Sequence, residues 1–284
     1  MLAVRTLEGV TSSELYEVYK ESFCDYPVDL GFDERKLMLI LHKLGGRPEH
    51  SFAAFEGDKP VGFASCGIRT FKGRPTGYVA LTGVSIHHRR KGAGRAMMEA
   101  AKDHFRALGI KHFLLEVIST NAPAYGLYRS VGLETSRVFG SYALDSKGDM
   151  PLSDIDIRIM APNEAPWDVF SSFWDFPPCW QNSIESIGTI PDIELVAAAY
   201  EGGDKLVGYA ACSCRSCAID HLAVRKDRRN RGIGSALMAF IAEHTPSQGM
   251  SIANIEEGCR SLEDFVKHRG FRHTLSLHEL EMEL

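Results

Sequence analysis

The sequence predicts a protein of the α+β class (mixed α/β) built as two domains, each a mixed, mostly antiparallel twisted sheet flanked by helices. Three observations predict this. The chain has 284 residues, more than one domain usually holds, so two domains of about 140 residues are the natural division. A strand, a basic glycine-containing turn and a helix occur at residues 81–98 and again at 220–238. The run from Ala54 to Ala64 returns, one residue longer, as Ala199 to Ala210. A repeat of that length is a duplicated whole domain rather than a solenoid unit.

The elements follow in order. Residues 2–7 alternate enough for a first strand. Thr11-Ser12-Ser13-Glu14 is a capping box opening a helix whose apolar positions Leu15, Val18, Tyr19 and Phe23 share one face. A loop through Tyr26-Pro27 follows, and Asp33 caps a second helix ending at Gly45-Gly46. Ser51–Phe55, a turn at 56–59 and Val61–Cys66 form a hairpin. Then come a strand at 78–86, the glycine turn and a helix to Leu108. A strand at 113–118, a helix at 122–131 closed by Gly132 and a strand near 137–144 complete the first copy, with a parallel strand pair reached through the central helix. The predicted domains are 1–145 and 155–284, with 146–154 as linker. The second begins with a strand at Ile155–Ile159 and departs most from the first between 164 and 192, where Trp167, Trp174, Pro177, Pro178 and Trp180 crowd together. Such a segment suits a pocket wall or packing between domains.

The repeated stretch has the chemistry of an anion site. A β-branched run through Val84 enters Arg89-Arg90-Lys91-Gly92-Ala93-Gly94 and then a helix. Val224 likewise leads into Arg229-Asn230-Arg231-Gly232-Ile233-Gly234. The first amides of a helix lack intrahelical partners, and the helix dipole puts partial positive charge there. The missing side chains let phosphate oxygens approach. The turn is not a Walker loop, because no Gly-Lys-Ser/Thr follows, and it lacks the third glycine of a dinucleotide fingerprint.

Composition narrows the classes. A net charge of −5 argues against a general nucleic-acid binder despite the basic turns. The chain opens Met1-Leu2-Ala3-Val4-Arg5 without a signal segment, and no apolar run nears the ~18 residues of a membrane span. A cytoplasmic protein without membrane attachment is the expectation. The seven cysteines do not form a disulfide pattern. Cys212, Cys214 and Cys217, with His221 four residues on, invite a metal reading, but only three thiols cluster and no second Cys-x-x-Cys pair appears. The cysteines therefore read as small buried residues near a strand turn, and no metal is expected.

These motifs, in this order over nearly the whole chain, resemble the GNAT superfamily of acyl-CoA-dependent N-acyltransferases, present here as a tandem pair. The most specific features are Arg-x-x-Gly-x-Gly at 89–94 and 229–234. The first half adds Leu115-Glu116-Val117, Asn121, Ala124 and Leu127-Tyr128-Arg129-Ser130-Val131-Gly132-Leu133. The resemblance implies that acetyl-CoA is the acyl donor and that a primary amine of a small molecule or peptide attacks its thioester. Its pantetheine arm would lie between two splayed strands. Backbone near Val84 and Ile86 would pair with that arm, and Asn121 would bond its amides. Arg89, Lys91, Gly92, Ala93, Gly94 and Arg95 would hold the pyrophosphate. The second copy offers Leu222, Val224, Arg229, Arg231, Gly232, Ile233, Gly234 and Ser235 for the same purpose.

For the chemistry, an amine must be neutral to attack, and the departing thiolate accepts a proton. The resemblance gives Tyr128 the second task; the plain alternative is a core aromatic. Glu116 is a candidate base, set against a structural carboxylate, or against water carrying the proton past Tyr78. His87 and His88 read as solvated. Asp25, Tyr26 and Asp33 fall in the segment that shapes acceptor sites in this superfamily, where an acidic bias suits a cationic amine. The family's proline two residues after the valine is replaced by Ile86 and Lys226. In the second copy the tyrosine position holds Val266 and the Asn121 position Cys259. The first domain is therefore expected to catalyse and the second to be degenerate. The second copy either binds CoA structurally, shapes the substrate site or leaves CoA alone, although Asp220 and His221 on its valine strand keep catalysis open there. A non-catalytic acyl-CoA-binding or regulatory protein is the competing function.

Overall fold

The computed structural model describes residues 2–284 except 27, 29, 149 and 151–153, so Pro27 of the predicted loop and most of the predicted linker's centre lie outside the described residues. The chain divides into two compact units, residues 1–136 with 278–284, and residues 137–277.

In the first unit β1 (Ala3–Thr6) leads to α1 (Ser12–Phe23) and α2 (Glu34–Lys43). The predicted caps hold: the Glu14 amide donates to Thr11 and the Glu14 carboxylate accepts from the Thr11 amide, while Asp33 accepts from Lys36. β2 (Phe52–Glu56), β3 (Lys59–Phe71) and β4 (Arg74–Val84) follow, then α3 (Ala93–Ala107), β5 (His112–Ile118) and α4 (Ala122–Ser130). The strand order is β1-β2-β3-β4-β5, antiparallel except for the parallel pair β4–β5. One face buries Met97, Met98, Phe105, Phe113 and Leu115 beneath α3 and α4. The other buries Leu15, Val18, Leu37, Leu41 and Phe63 under α1 and α2.

The second unit repeats the plan. β6 (Glu134–Leu144) crosses from one unit to the other at 136/137, and β7 (Asp156–Met160) follows. The divergent segment contains only the short helices α5 (Trp167–Ser171) and α6 (Ile184–Thr189). Then come β8 (Glu194–Glu201), β9 (Lys205–Ser213), β10 (Ala218–Val224), α7 (Ile233–His244), β11 (Met250–Glu256), α8 (Arg260–His268) and β12 (Arg272–Glu283). The pair β10–β11 is parallel, as β4–β5 is.

One predicted boundary is corrected. The sequence assigns the strand near 137–144 to the first domain and the chain's end to the second; the structure exchanges them. Tyr142 and Leu144 join the core beneath α7, and β6 pairs with β11 from Leu144↔Met250 onward. The last residues of β12 go to the first unit, where Leu280, Met282 and Leu284 join its core and Glu281 bonds His112. Both segments alternate apolar and polar residues, and that pattern says that a strand forms but not which copy it completes. Residues 145–148 are held by the second unit: the Lys147 ammonium donates to the Thr245 carbonyl at 2.7 Å and also to the Ala242 carbonyl.

Candidate active site

Each unit opens a cleft by the same device. β4 and β5 pair only from Thr76↔His112 to Val79↔Leu115, then diverge. β10 and β11 pair only at Ala218↔Ser251 and Ile219↔Ile252. The β3–β4 register shifts so that Ala80 is the extra residue, and the β9–β10 register shifts so that Asp220 is. Both bulges lie four residues before the strand's final valine. A bulge bends its strand and sharpens its twist, which parts it from the parallel neighbour. Gap and turn are thus built together.

The turns share their positive backbone angles. Arg90 and Asn230 each have φ +60°, and Gly92 and Gly232 each have φ +83°. The two glycines are N-caps without a side-chain cap, and the first helical amide bonds run from Ala96 to Gly92 and from Ala236 to Gly232. The preceding amides of Ala93, Gly94 and Arg95, and of Ile233, Gly234 and Ser235, point out of the helix start as an anion needs. Gly94 and Gly234 serve packing: a Cβ would meet Leu127 at 3.0 Å in one and Phe265 at 3.2 Å in the other. Lys91 and Arg231 are exposed at the turn, and Arg95 donates to the Ser130 carbonyl at 2.7 Å. Ser235 takes a hydrogen bond from Arg269.

The leading arginines have a different place from the one expected. Arg89 donates twice to Asp25 at 2.7 Å, to the Ser22 carbonyl at 2.8 Å and to the Val84 carbonyl at 3.3 Å. Arg229 repeats the clamp on Asp175 at 2.9 and 3.0 Å, with the carbonyls of Phe173 and Val224. Their guanidinium groups therefore tie the strand end and turn to the segment after the first helix, rather than facing a phosphate. This also removes Asp25 from the acidic bias expected for the acceptor, and Asp33 is occupied as a helix cap. The Arg89 hydrogen bonds hold the Asp25 carboxyl below the usual carboxylate range.

In the first unit Tyr128 is 7% exposed, and burial pushes its phenol up to about 12, with the Thr82 hydroxyl opposing the shift. It keeps its proton at neutral pH and can donate a hydrogen bond. Tyr26, raised by burial with Asn121 opposing, lies close enough to couple to it electrostatically. Thr82 is a neighbour of Tyr128 that sequence reasoning did not single out, whereas Tyr26 belongs to the loop it set aside for the acceptor. Asn121 is the N-cap of α4, its side-chain oxygen accepting from the Ala124 amide at 3.2 Å; Cys259, the N-cap of α8, makes no such bond. Glu116 is half-buried on β5, and alternation puts it opposite Leu115 and Val117, which join the core with Tyr128. Tyr78 is buried within the β4–β5 pair. Ile86 is exposed, whereas His88 is half-buried, its ring 3.3 Å from Glu56, and so is less solvated than expected.

The second unit holds a cavity of about 830 Å³. The turn residues Gly232–Ser235 line it together with Trp174, Tyr209, His221 and Asn254. Trp174 and Pro178 form part of its wall; Trp180 is fully buried, and Trp167 packs edge-on against Tyr209 and His221. The Trp174 indole donates to the Tyr209 oxygen, which lies 2.8 Å from His221 Nδ1. His221 Nε2 lies 2.6 Å from the Asn182 carbonyl. A carbonyl only accepts, so Nε2 carries the hydrogen and Nδ1 of the neutral ring accepts from Tyr209. Cys212 and Cys217 are buried, and burial raises both thiols.

Residues 13–133 match the acetyltransferase (GNAT) family and residues 192–273 an acetyltransferase (GNAT) domain, between them more than half of the chain. The chain belongs to the GNAT acetyltransferase family and carries its domain twice. A mycothiol acetyltransferase from Saccharomonospora viridis is 38% identical over 76 residues, 27% of this chain and 25% of that protein. A streptothricin acetyltransferase from Streptomyces lavendulae is 47% identical over 49 residues, 17% of this chain and 26% of that protein. The chain thus spans about a quarter of the length of these curated relatives. A tandem GNAT protein from the clavulanic acid biosynthesis pathway shares the fold, with a TM-score of 0.74 over 100% of this chain and 98% of that one at 15% identity.

Proposed function

We propose that the protein is an acetyl-CoA-dependent N-acetyltransferase that moves an acetyl group to a primary amine of a small molecule or peptide by direct attack on the thioester. The observation that carries the reading is the conjunction, in the first unit, of a glycine turn at φ +83°, a parallel pair that parts beside it, and a buried phenol that keeps its proton. The amides of Lys91 to Arg95 take the pyrophosphate, backbone at Val84 and Ile86 pairs with the pantetheine arm, and Asn121 stands at the mouth of α4 to bond its amides. Tyr128 donates to the leaving thiolate. With a phenol near 12 against about 8.5 for a thiol, it acts chiefly as a hydrogen-bond donor and transfers its proton only as the C–S bond breaks. Glu116 is the candidate base of this unit. That two local relatives are both named acetyltransferases supports acetyl as the group moved. No helix among the described residues is long and apolar enough to cross a membrane. Seven free thiols suit the reducing cytoplasm, where we place the protein.

Calorimetric titration with acetyl-CoA tests the reading. Binding that is lost at one site in Gly94→Glu, where a carboxylate is planted against the expected pyrophosphate, supports it. A folded wild-type protein that takes up no acetyl-CoA refutes it, and binding without turnover on any amine favours the regulatory alternative.

A further inference from the structure

The two copies share one more segment. The aspartate of each arginine clamp is followed by an aromatic residue and a proline, Tyr26-Pro27 in the first copy and Phe176-Pro177 in the second. Phe176 lines the second unit's cavity together with Leu222 and Cys259. These three stand where the first unit has Tyr26, Thr82 and Asn121. Leu222 pairs with Ala210 as Thr82 pairs with Ala64, and Cys259 and Asn121 are both helix N-caps. With Val266 at the place of Tyr128, the second copy has lost two phenols, a hydroxyl and an amide together. It keeps the clamp, the bulge and the turn. The loop therefore needs only a ring at position 26, and the hydroxyl on that ring goes with Tyr128 rather than with the fold.

Tyr26 also reaches across the gap. Its neighbour Asp25 is held by the same Arg89 that bonds the Val84 carbonyl at the end of β4. Ser22 and Phe23 lie so close to Gly83 that a Cβ there would meet them at 2.7 and 2.9 Å. The Tyr26 ring stands edge-on to Phe23, with centres 5.0 Å apart. Phe23 packs on the face of α1 and α2, whereas Tyr128 belongs to the core under α3 and α4. From there the half-buried Tyr26 hydroxyl bonds the side chain of Asn121, whose amide donates to the Ile118 carbonyl at the end of β5. The link thus runs from one parted strand to the other. The Asn121 oxygen is taken by the Ala124 amide, so its NH₂ group donates to the phenol oxygen. No described residue accepts from the Tyr26 hydroxyl in return.

We propose that Tyr26 is a second catalytic phenol of the first unit, whose hydroxyl donates to the carbonyl oxygen of the thioester while Tyr128 serves its sulfur. The proposal rests on the acyl-CoA reading above. A primary ammonium brings only donors to the cleft, whereas the thioester carbonyl brings an acceptor for the open O–H of Tyr26. When the amine nitrogen bonds the carbonyl carbon, an electron pair moves onto the oxygen. Tyr26 hydrogen-bonds that charge and keeps its own proton, and the donation it receives from Asn121 strengthens the bond it gives. The pair returns as the C–S bond breaks, and the sulfur leaves with the bonding electrons and takes a proton from Tyr128. The proton that attack leaves on nitrogen passes to the base, and Tyr128 regains one from solvent. An amide and the CoA thiol are the products.

The test uses the full-length protein in the Gly234→Glu background, which silences the second turn, and follows release of the CoA thiol from acetyl-CoA. The nucleophile is ethanolamine, putrescine or tryptamine, or water alone, since the carbonyl oxygen gains charge with either. Tyr26→Phe installs the residue that the second copy carries in the same clamped loop, so the variant keeps a side chain that this loop accommodates. A fall in kcat of about 10²–10³-fold, with the KM of the amine and the calorimetric affinity for acetyl-CoA unchanged, supports the proposal. Dithioacetyl-CoA then separates the two phenols, because its thiocarbonyl sulfur accepts hydrogen bonds weakly while its leaving group is the same. The Tyr26→Phe loss should shrink with that donor and the Tyr128→Phe loss should persist. Wild-type kcat in Tyr26→Phe overturns the proposal, as does a change confined to the KM of the amine or a loss equally large with the dithioester. In any of these cases the acyl-CoA reading stands. A protein that binds acetyl-CoA but speeds its cleavage by neither amine nor water overturns the proposal and favours the regulatory alternative; one that binds none refutes the underlying reading as well.

Discussion

In both units a bulge precedes the last valine of a strand by four residues and a glycine at φ +83° starts the helix beyond it. Behind these shared parts lie Phe63, Leu81 and Tyr128 in one unit and Tyr209, His221 and Val266 in the other. The shared parts are backbone features. The differences are side chains: a buried phenol, Tyr128, in the first, and a hydrogen-bonded imidazole–phenol pair, His221 and Tyr209, in the second. Duplication fixes geometry through the main chain and leaves chemistry free to divide between copies.

The comparison breaks most readily at Tyr128. Its replacement by Phe should reduce first-unit turnover about 10²–10⁴-fold, measured in a Gly234→Glu background under single-turnover conditions, with acetyl-CoA affinity held. Unchanged turnover would make Tyr128 a core aromatic and remove the asymmetry on that side. The converse exchange is a matter of volume. Val266, on α8, is fully buried in the core that α7 and β11 share, so Val266→Tyr should overpack that core and cost about 1–3 kcal/mol, seen as a lower melting temperature of the second unit. A Val266→Tyr protein as stable as wild type would mean that the second site has room for the missing phenol.

Much of this was legible in the sequence, for identifiable reasons. The capping box at Thr11, the cap at Asp33 and the glycine turns are local, and each follows from hydrogen bonds or dihedral angles within a few residues. Tyr128 is singled out only by the family resemblance, which places a tyrosine four residues before the Gly132-Leu133 pair. The bulges at Ala80 and Asp220 left no sign, since an extra residue in a strand changes pairing and not composition. Asp25 and Asp175 as the partners of Arg89 and Arg229 were equally hidden: the contact spans 64 residues in the first unit, and an isolated aspartate after a helix looks like any surface acid. The exchange of the two final strands depends on which copy's core accepts Leu280 or Tyr142, which only tertiary packing decides. His221 was visible as a residue on the valine strand. Its partner Tyr209 carries no sign in the sequence, because the duplicated run aligns it with Phe63.

A third comparison should give equal answers in the two units. Neither Gly92 nor Gly232 has a neighbour within 4 Å of an added Cβ, so substitution by Ala meets only the penalty of a positive φ, about 1–2 kcal/mol. Matching falls in melting temperature for Gly92→Ala and Gly232→Ala would confirm that the turns are held by the same backbone rule. A much larger loss in one would show that its turn carries strain the other does not.

The smallest effect concerns the arginine clamps, and it too separates the units. In the second, burial works to raise the Asp175 carboxyl, but hydrogen bonds from Arg229 and Ser261 outweigh it and the net shift is downward. In the first, Asp25 is also lowered, by Arg89 alone among side chains, and it is the more exposed of the two. A carboxyl lowered by folding contributes stability that is present above the ordinary carboxylate range and lost as pH falls through the folded value. Both clamps should therefore loosen in acid and neither should respond between pH 6 and 8. Asp175→Asn should cost up to about 1 kcal/mol at neutral pH, as half-exposed ion pairs do, and should flatten the acid limb of the second unit's melting profile. Asp25→Asn should do less, because that pair is better solvated. If instead Asp25→Asn were the more costly, the first clamp would be holding its loop against some force beyond the pair itself, and the two turns would no longer be equivalent in how they are anchored.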